Sequence, residues 1–497
     1  MNPLKKLASQ TAIYGLSTIV GRLLNYFLVP IYTRVFLPGE YGVVTQMYAI
    51  VTFLNVAYTY GMETAFFRFS QLEKDNPRIY STNLISIISS SVILGLLLII
   101  FSNPIAAWMG YEGHGIYIIW FALILAFDAI TAIPFAKLRL ENKAKKYASI
   151  KFLWIISNVF LNLFFLVACP TIMKGNVEFI KPFIKAIYNP EMGVGYVFIS
   201  NLISSFITLL ILLPEITGIR FSFDTILWKK MLQYALPLLI AGFAGMINEV
   251  MDRLMMPYLV ADKSTALTQV GIYGACYKVS ILMTLFIQTF RQAAEPFFFT
   301  EANAENSKKI YADVMTYFVI ACSIIFLGVM MNMEIVKHFV GIKYRSGLTV
   351  VPILLLANLC LGIFFNLSIW YKLSGHTKWG AYLAIFGAII TLTLNIWWIP
   401  LIGYMGAAWA TLVCYALMML ASYAIGQKYY PVSYNLPKII GYLALALALY
   451  FLSDYLTPML ALNKIGSLLF NNLFLCAFLL LVILKEIPNL KSLRIRK

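Results

Sequence analysis

Fourteen runs of about twenty mostly apolar residues follow one another along this chain, and no other feature constrains its fold as tightly. They lie at roughly 11–33, 41–66, 82–102, 116–136, 148–169, 194–214, 234–260, 271–297, 311–332, 348–373, 379–400, 404–426, 438–456 and 465–484. A backbone in hydrocarbon must satisfy its own N–H and C=O groups, so runs of this length read as membrane-spanning helices. Composition agrees. Of 497 residues, 61% are hydrophobic and 12% charged, with a mean hydropathy of +0.81. A soluble domain would be nearer half apolar and a quarter charged. The expected fold is an all-α polytopic membrane protein with about 14 transmembrane helices.

The net charge of +17 does not imply a nucleic-acid partner, because the cations cluster in loops between apolar runs. There they set topology. With the N-terminus in the cytoplasm, 26 of the 38 lysines and arginines fall on cytoplasmic ends and 9 on outer ends. The other three, Arg22, Arg253 and Lys278, lie inside spans. The positive-inside rule therefore puts both termini in the cytoplasm, as an even number of spans requires. The longest outer loop, Pro170–Gly193, is too short for a domain, and its Phe179, Phe183 and Ile184 are expected to lie on the membrane interface.

Soluble catalytic chemistry is not encoded. The six cysteines lie in or beside apolar runs with no C-x-x-C pair, and read as small core residues without disulfide or metal function. His114, His338 and His376 lie in loops without clustered partners. No P-loop, G-x-S-x-G or H-E-x-x-H occurs, so no catalytic residue, metal or cofactor is expected. The first apolar run contains Arg22 and lacks a small-residue cleavage site, so it is not read as a cleavable signal.

Charge inside the spans marks the functional region. In Tyr234–Val260, Asn248, Glu249, Asp252 and Arg253 fall within an arc of about 140° at 100° per residue, with Ala241, Gly242 and Gly245. Leu239, Ile240 and Phe243 point away. The next run carries Lys278, Gln288 and Gln292 on a common side, with Arg291 and Glu295 near its far end. On the first span Thr18, Arg22, Asn25 and Tyr26 share a face.

An unpaired charge at mid-bilayer costs at least about 2.5–3.5 kcal/mol, so such residues face protein or a water-filled cavity. Glu249 and Arg253 are spaced i,i+4 for internal pairing, and Lys278 can answer Asp252 from the neighbouring helix. The polar arc is wider than one ion pair needs, so a cavity lining can coexist with pairing. Asp128 and Glu63 are the further acids to consider for ion coupling. Glu63 has a plainer role as a partner of Arg68.

A weak internal repeat is present. Tyr14 precedes Arg34 by twenty residues and Tyr234 precedes Arg253 by nineteen, each arginine leading into a short loop and a glycine-bearing segment. Six spans separate the two, so they insert in the same orientation, related by an axis along the membrane normal. The expected organisation is a six-helix lobe at 1–220, a second at 221–430, and two extra helices with a basic cytoplasmic tail at 431–497.

The stretch Arg22-Leu23-Leu24-Asn25-Tyr26-Phe27-Leu28-Val29-Pro30-Ile31-Tyr32-Thr33-Arg34, continuing to Pro38-Gly39-Glu40-Tyr41-Gly42, resembles the opening of a known family. This is the polysaccharide transporters of the multidrug/oligosaccharidyl-lipid/polysaccharide exporter superfamily. Tyr60-Gly61-Met62-Glu63, Tyr234-Ala235-Leu236-Pro237, Phe290-Arg291-Gln292-Ala293-Ala294-Glu295-Pro296 and Gly403-Tyr404-Met405-Gly406-Ala407-Ala408 extend the likeness over most of the chain.

The resemblance implies a Wzx-type flippase that moves undecaprenyl-diphosphate-linked oligosaccharide units across the bacterial inner membrane for O-antigen or exopolysaccharide synthesis. It implies alternating access of an inter-lobe cavity lined by spans one, two, seven and eight, where Arg22, Asn25, Asn248, Arg253, Lys278, Gln288 and Gln292 fall. Glu63, Asp128, Glu249 and Asp252 are left for ion coupling or buried pairing. Membrane lipids, a polysaccharide polymerase and chain-length proteins are the partners it implies.

Three other functions compete. A peptidoglycan-precursor flippase would suit a cationic cavity equally well. A cation-coupled multidrug exporter of the same superfamily would want an acid-dominated one. A membrane glycan polymerase or ligase would need a long outer loop, which this chain lacks.

Overall fold

A computed structural model describes residues 26–73, 76–175, 179–217, 222–303, 305–460 and 462–495, with Asn303 and residues from 487 onward as backbone only. All the regular elements among these residues are helical. Arg22 and Asn25 lie outside the described residues. The chain divides into two compact units, Met1–Leu254 and Met255–Lys497.

The first unit holds α1 (Val29–Val35), α2 (Pro38–Thr59), α3 (Met62–Leu72), α4 (Arg78–Ile100), α5 (Ser102–Trp108) and α6 (Gly115–Leu140). It continues with α7 (Ala144–Lys174), α8 (Lys181–Ile187), α9 (Gly195–Thr217) and most of α10 (Thr225–Leu259). Local chemistry sets several boundaries. Pro38 opens α2 at a position where its missing N–H costs nothing, and the Glu40 carboxylate accepts a 2.7 Å bond from the Leu37 N–H.

Between α2 and α3 the chain turns through Tyr60 (φ 30°) and Gly61 (φ 75°), both left-handed. A side chain at Gly61 would meet the Ala235 carbonyl at 3.0 Å, so α10 can lie against this corner only where there is no Cβ. Within α7, Phe164–Ala168 widens to a π-helical turn just before Pro170, which cannot donate to the ladder. The core of this unit gathers Tyr58, Met62, Phe66, Leu84, Leu125, Ile133 and Met231 from α2, α3, α4, α6 and α10.

The second unit begins with α11 (Lys263–Val279) and α12 (Ile281–Thr300), followed by α13 (Ser307–Met331), α14 (Val350–Leu367) and α15 (Ile369–Leu373). Then come α16 (Lys378–Ile402), α17 (Tyr404–Tyr429), α18 (Leu436–Met459) and α19 (Lys464–Ile495). The hairpin from α16 to α17 turns at Gly403 (φ 58°), and Gly406 lies so close to the Trp398 backbone that a Cβ would sit 2.5 Å from its carbonyl oxygen.

The C-terminal pair α18 and α19 packs on α13. Tyr450 meets Phe326 edge-on at 5.6 Å. The Asn332 and Asn472 amides donate to each other at 3.2 and 3.0 Å. Buried Glu486 on α19 takes bonds from Lys438 and Tyr442 on α18 at 2.7 and 2.5 Å.

Among the described residues eleven helices are long and apolar enough to cross a membrane, and twelve if the bent pair α11–α12 counts as one span. These twelve coincide with the apolar runs from 82–102 onward. The protein is a multi-pass membrane protein. Of the two remaining expected spans, 11–33 lies mostly outside the described residues. The span at 41–66 is not one helix: the left-handed corner splits it into α2 and α3, and α2 carries Gln46 and Asn55 among its apolar residues. The run at 271–297 also needs correction. It bends by 51° at Ser280, whose hydroxyl bonds the Tyr277 carbonyl at 2.7 Å and so competes with the helical ladder. All six cysteines are free thiols.

Candidate substrate-binding residues

In the first unit the polar arc is carried on α10. Asp252 is 4% exposed, while Asn248 and Arg253 are half-buried and Glu249 is exposed. The expected Glu249–Arg253 ion pair does not form. Asp252 Oδ1 instead accepts the Arg253 backbone N–H at 2.7 Å and its Nε at 3.2 Å, and Arg253 Nη2 donates to the Glu249 backbone carbonyl. Side chains on a helix lean toward its N-terminus, so the guanidinium reaches the carbonyl one turn back and meets the short Asp252 side chain on the way. Among the described residues the Glu249 carboxylate makes no ion pair, which leaves a second acid on the arc beside the neutralised one.

Glu63 is corrected too. Its partner is Arg139 on α6, not Arg68. Arg68 lies over the Tyr234 ring at 4.3 Å and Arg139 over Phe67 at 4.8 Å. The corner at Tyr60–Gly61 starts α3 in a new direction, and this turns Glu63 toward α6. Asp128 lies half-buried at mid-length in α6. Trp154 on α7 donates to the Ser205 hydroxyl on α9 at 3.3 Å, and Lys151 covers the Phe135 ring at 4.1 Å.

Lys278 belongs to the second unit, half-buried in the last turn of α11, where the negative end of the helix dipole favours a cation. Half-buried Gln288 and exposed Gln292 follow on α12, beyond the bend, so the three do not share one straight face. Sequence reading missed the grip on Glu215 at the end of α9, whose two oxygens each take a 2.8 Å bond, one from Lys137 and one from Lys146. Those lysines read only as topology signals in the sequence. Among the described residues no cluster of three or more His, Cys, Asp or Glu could hold a metal ion.

The model of the family described as polysaccharide biosynthesis protein matches residues 7–301, more than half of the chain. The chain belongs to this family. No curated protein matches it. Among solved structures, the polysaccharide biosynthesis chain is similar to the lipid II flippase MurJ in an inward closed conformation. The TM-score is 0.72 at 14% identity, covering 94% of this chain and 98% of that one. An inward-facing multidrug resistance MATE family transporter of the MOP superfamily gives 0.64 at 14% identity, over 82% of this chain and 94% of its own. An outward-facing MATE transporter gives 0.57 at 14% identity, over 84% and 95%. At such identities the likeness is one of fold. This family member has the polytopic fold shared by these flippases and transporters.

Proposed function

We propose that this protein is a flippase that carries undecaprenyl-diphosphate-linked oligosaccharide repeat units from the cytoplasmic to the outer leaflet of the bacterial inner membrane. Both termini are cytoplasmic in this reading, and no covalent chemistry is involved. The observation that carries it is the set of charged groups held within apolar spans of a polysaccharide-biosynthesis family member, with Arg253 and Asp252 on α10 foremost. Each unpaired hydroxyl moved into an alkane-like phase costs roughly 4–8 kcal/mol, so a sugar headgroup needs a wet polar path while its lipid tail stays in the bilayer.

A diphosphate needs cations that remain charged at that depth, a task that suits arginine better than lysine. Arg22, Arg253 and Lys278 are assigned to it, with Asn25, Asn248, Gln288 and Gln292 facing the sugars. The inside-negative potential favours outward movement of the anion by about 2.3 kcal/mol per charge per 100 mV. Asp128, at mid-length in α6, is assigned to take up a coupling cation.

Deletion in a strain with no second flippase should abolish the surface polysaccharide and leave drug resistance unchanged. Unchanged surface glycan would overturn the assignment. The likeness to a lipid II flippase favours a second reading, transport of the peptidoglycan precursor. Rescue of a strain depleted of its lipid II flippase would establish that reading instead.

A further inference from the structure

A cleft in the second unit plays no part in the proposal above. It opens where α13 and α18 finish and α14 and α19 begin, and it holds about 490 Å³, room for a lipid headgroup. One part of its wall is apolar, built from Met331, Leu348 and Pro352. The polar part comes mainly from α18 and α19. Glu334, in the turn after α13, also reaches the wall, but Lys337 Nζ already bonds its carboxylate at 2.5 Å.

Asp454 on α18 is a different case. Its side chain is exposed, and it makes no hydrogen bond or ion pair among the described residues. Asn471 on α19 stands in the same wall. The Ser453 and Thr457 hydroxyls bond its Oδ1 at 3.0 and 2.6 Å, which fixes the amide and leaves Nδ2 without an acceptor among the described residues. That nitrogen is not sealed from solvent. The cleft thus presents an unanswered negative charge, a fixed donor and an apolar side, all open to a ligand.

A carboxylate in water needs no ligand, but this one has lipid for a neighbour. Phe451, Leu452, Tyr455, Leu469 and Leu473 on the same two helices are all exposed. An amphiphile from that bilayer whose head joins an ammonium to a phosphate answers both polar groups. Its ammonium N–H donates to Asp454, and a phosphate oxygen accepts from Asn471 Nδ2. A purely anionic head would be repelled by the carboxylate, and a choline head has no N–H to donate.

We propose that this cleft binds the headgroup of an aminophospholipid, a primary ammonium joined to a phosphodiester, drawn from the surrounding bilayer. On the topology proposed above, that is the outer leaflet. The site itself depends neither on that topology nor on which lipid-linked sugar is transported.

The test places the full chain in phosphatidylcholine nanodiscs containing phosphatidylethanolamine or phosphatidylglycerol, and native mass spectrometry reads which lipid is retained. Phosphatidylethanolamine should be retained in preference to both other lipids. D454N should lower that preference about tenfold, the effect of one charge-assisted bond, and D454E should keep part of it. N471L should weaken retention as well. Asp454 is exposed, so D454N should fold, which its thermal midpoint in detergent checks; D454S replaces it if that midpoint falls. The proposal is overturned if the wild-type chain retains phosphatidylethanolamine no better than phosphatidylcholine, or if the folded Asp454 variants keep the wild-type preference.

Discussion

Arg253 pairs with Asp252, its immediate neighbour, and only its backbone contact reaches Glu249 a turn earlier: Nε lies 3.2 Å from Asp252 Oδ1 while Nη2 bonds the Glu249 carbonyl. This separates a neutralising acid from a free one on the same helical arc. It also decides which double variant is informative.

D252N should lower the amount of inserted protein, because removing one member of a buried pair strands the other at about 3–5 kcal/mol. The double variant D252N/R253Q should recover protein level but not glycan export, if Arg253 binds diphosphate. Membrane quantification beside glycan blots distinguishes the two effects. Export at wild-type rate by the double variant would reduce Arg253 to a charge balancer.

Arg22 has no acid within one helical turn in the sequence. R22A should therefore lose export at normal protein levels, and R22K should recover part of it, since a point charge replaces a fork. Normal export by R22A removes this arginine from the mechanism.

Glu63 pairs with Arg139, and both side chains are more than a third exposed. Ion pairs of this kind contribute about 0–1 kcal/mol. E63Q should accordingly leave protein level and export close to wild type, whereas D128N should impair export. Loss of export in E63Q at normal protein level would make Glu63 a coupling residue.

Gly61 combines a φ of 75° with an approach of 3.0 Å between its would-be Cβ and the Ala235 carbonyl. G61A should destabilise the protein by about 1–2 kcal/mol from the left-handed backbone alone, with the steric clash adding to it. Thermal unfolding in detergent reads this directly. An unchanged midpoint would show that α10 does not rest on this corner.

A cysteine at Lys145, in a variant whose native cysteines are replaced, should be labelled only after the membrane is permeabilised. Labelling from outside in intact cells would invert the topology and, with it, the depth assigned to each buried cation.

The twelve long spans were legible because lipid leaves hydropathy little room for ambiguity: a run such as 311–332 can hardly be anything but α13. What hydropathy cannot register is a break in direction. Tyr60–Gly61 and Ser280 interrupt apolar runs without interrupting their apolarity, so α3 and α12 take courses that periodicity alone does not give. The residues of the polar arc all lie on one unbroken helix, α10. The Glu63–Arg68 and Glu249–Arg253 pairings did not, because i,i+4 and i,i+5 spacing gives proximity but not the competition from backbone carbonyls and other helices. The Lys372–Glu295 bond was out of reach for a related reason: it joins positions 77 residues apart.

The reciprocal amide bonds between Asn332 and Asn472 give the last two helices a mechanical meaning. With Tyr450 edge-on to Phe326, they fasten α18 and α19 to α13. The pair is therefore cargo of the second unit. Cutting α19 away would leave the Asn332 amide at the end of α13 without its Asn472 partner.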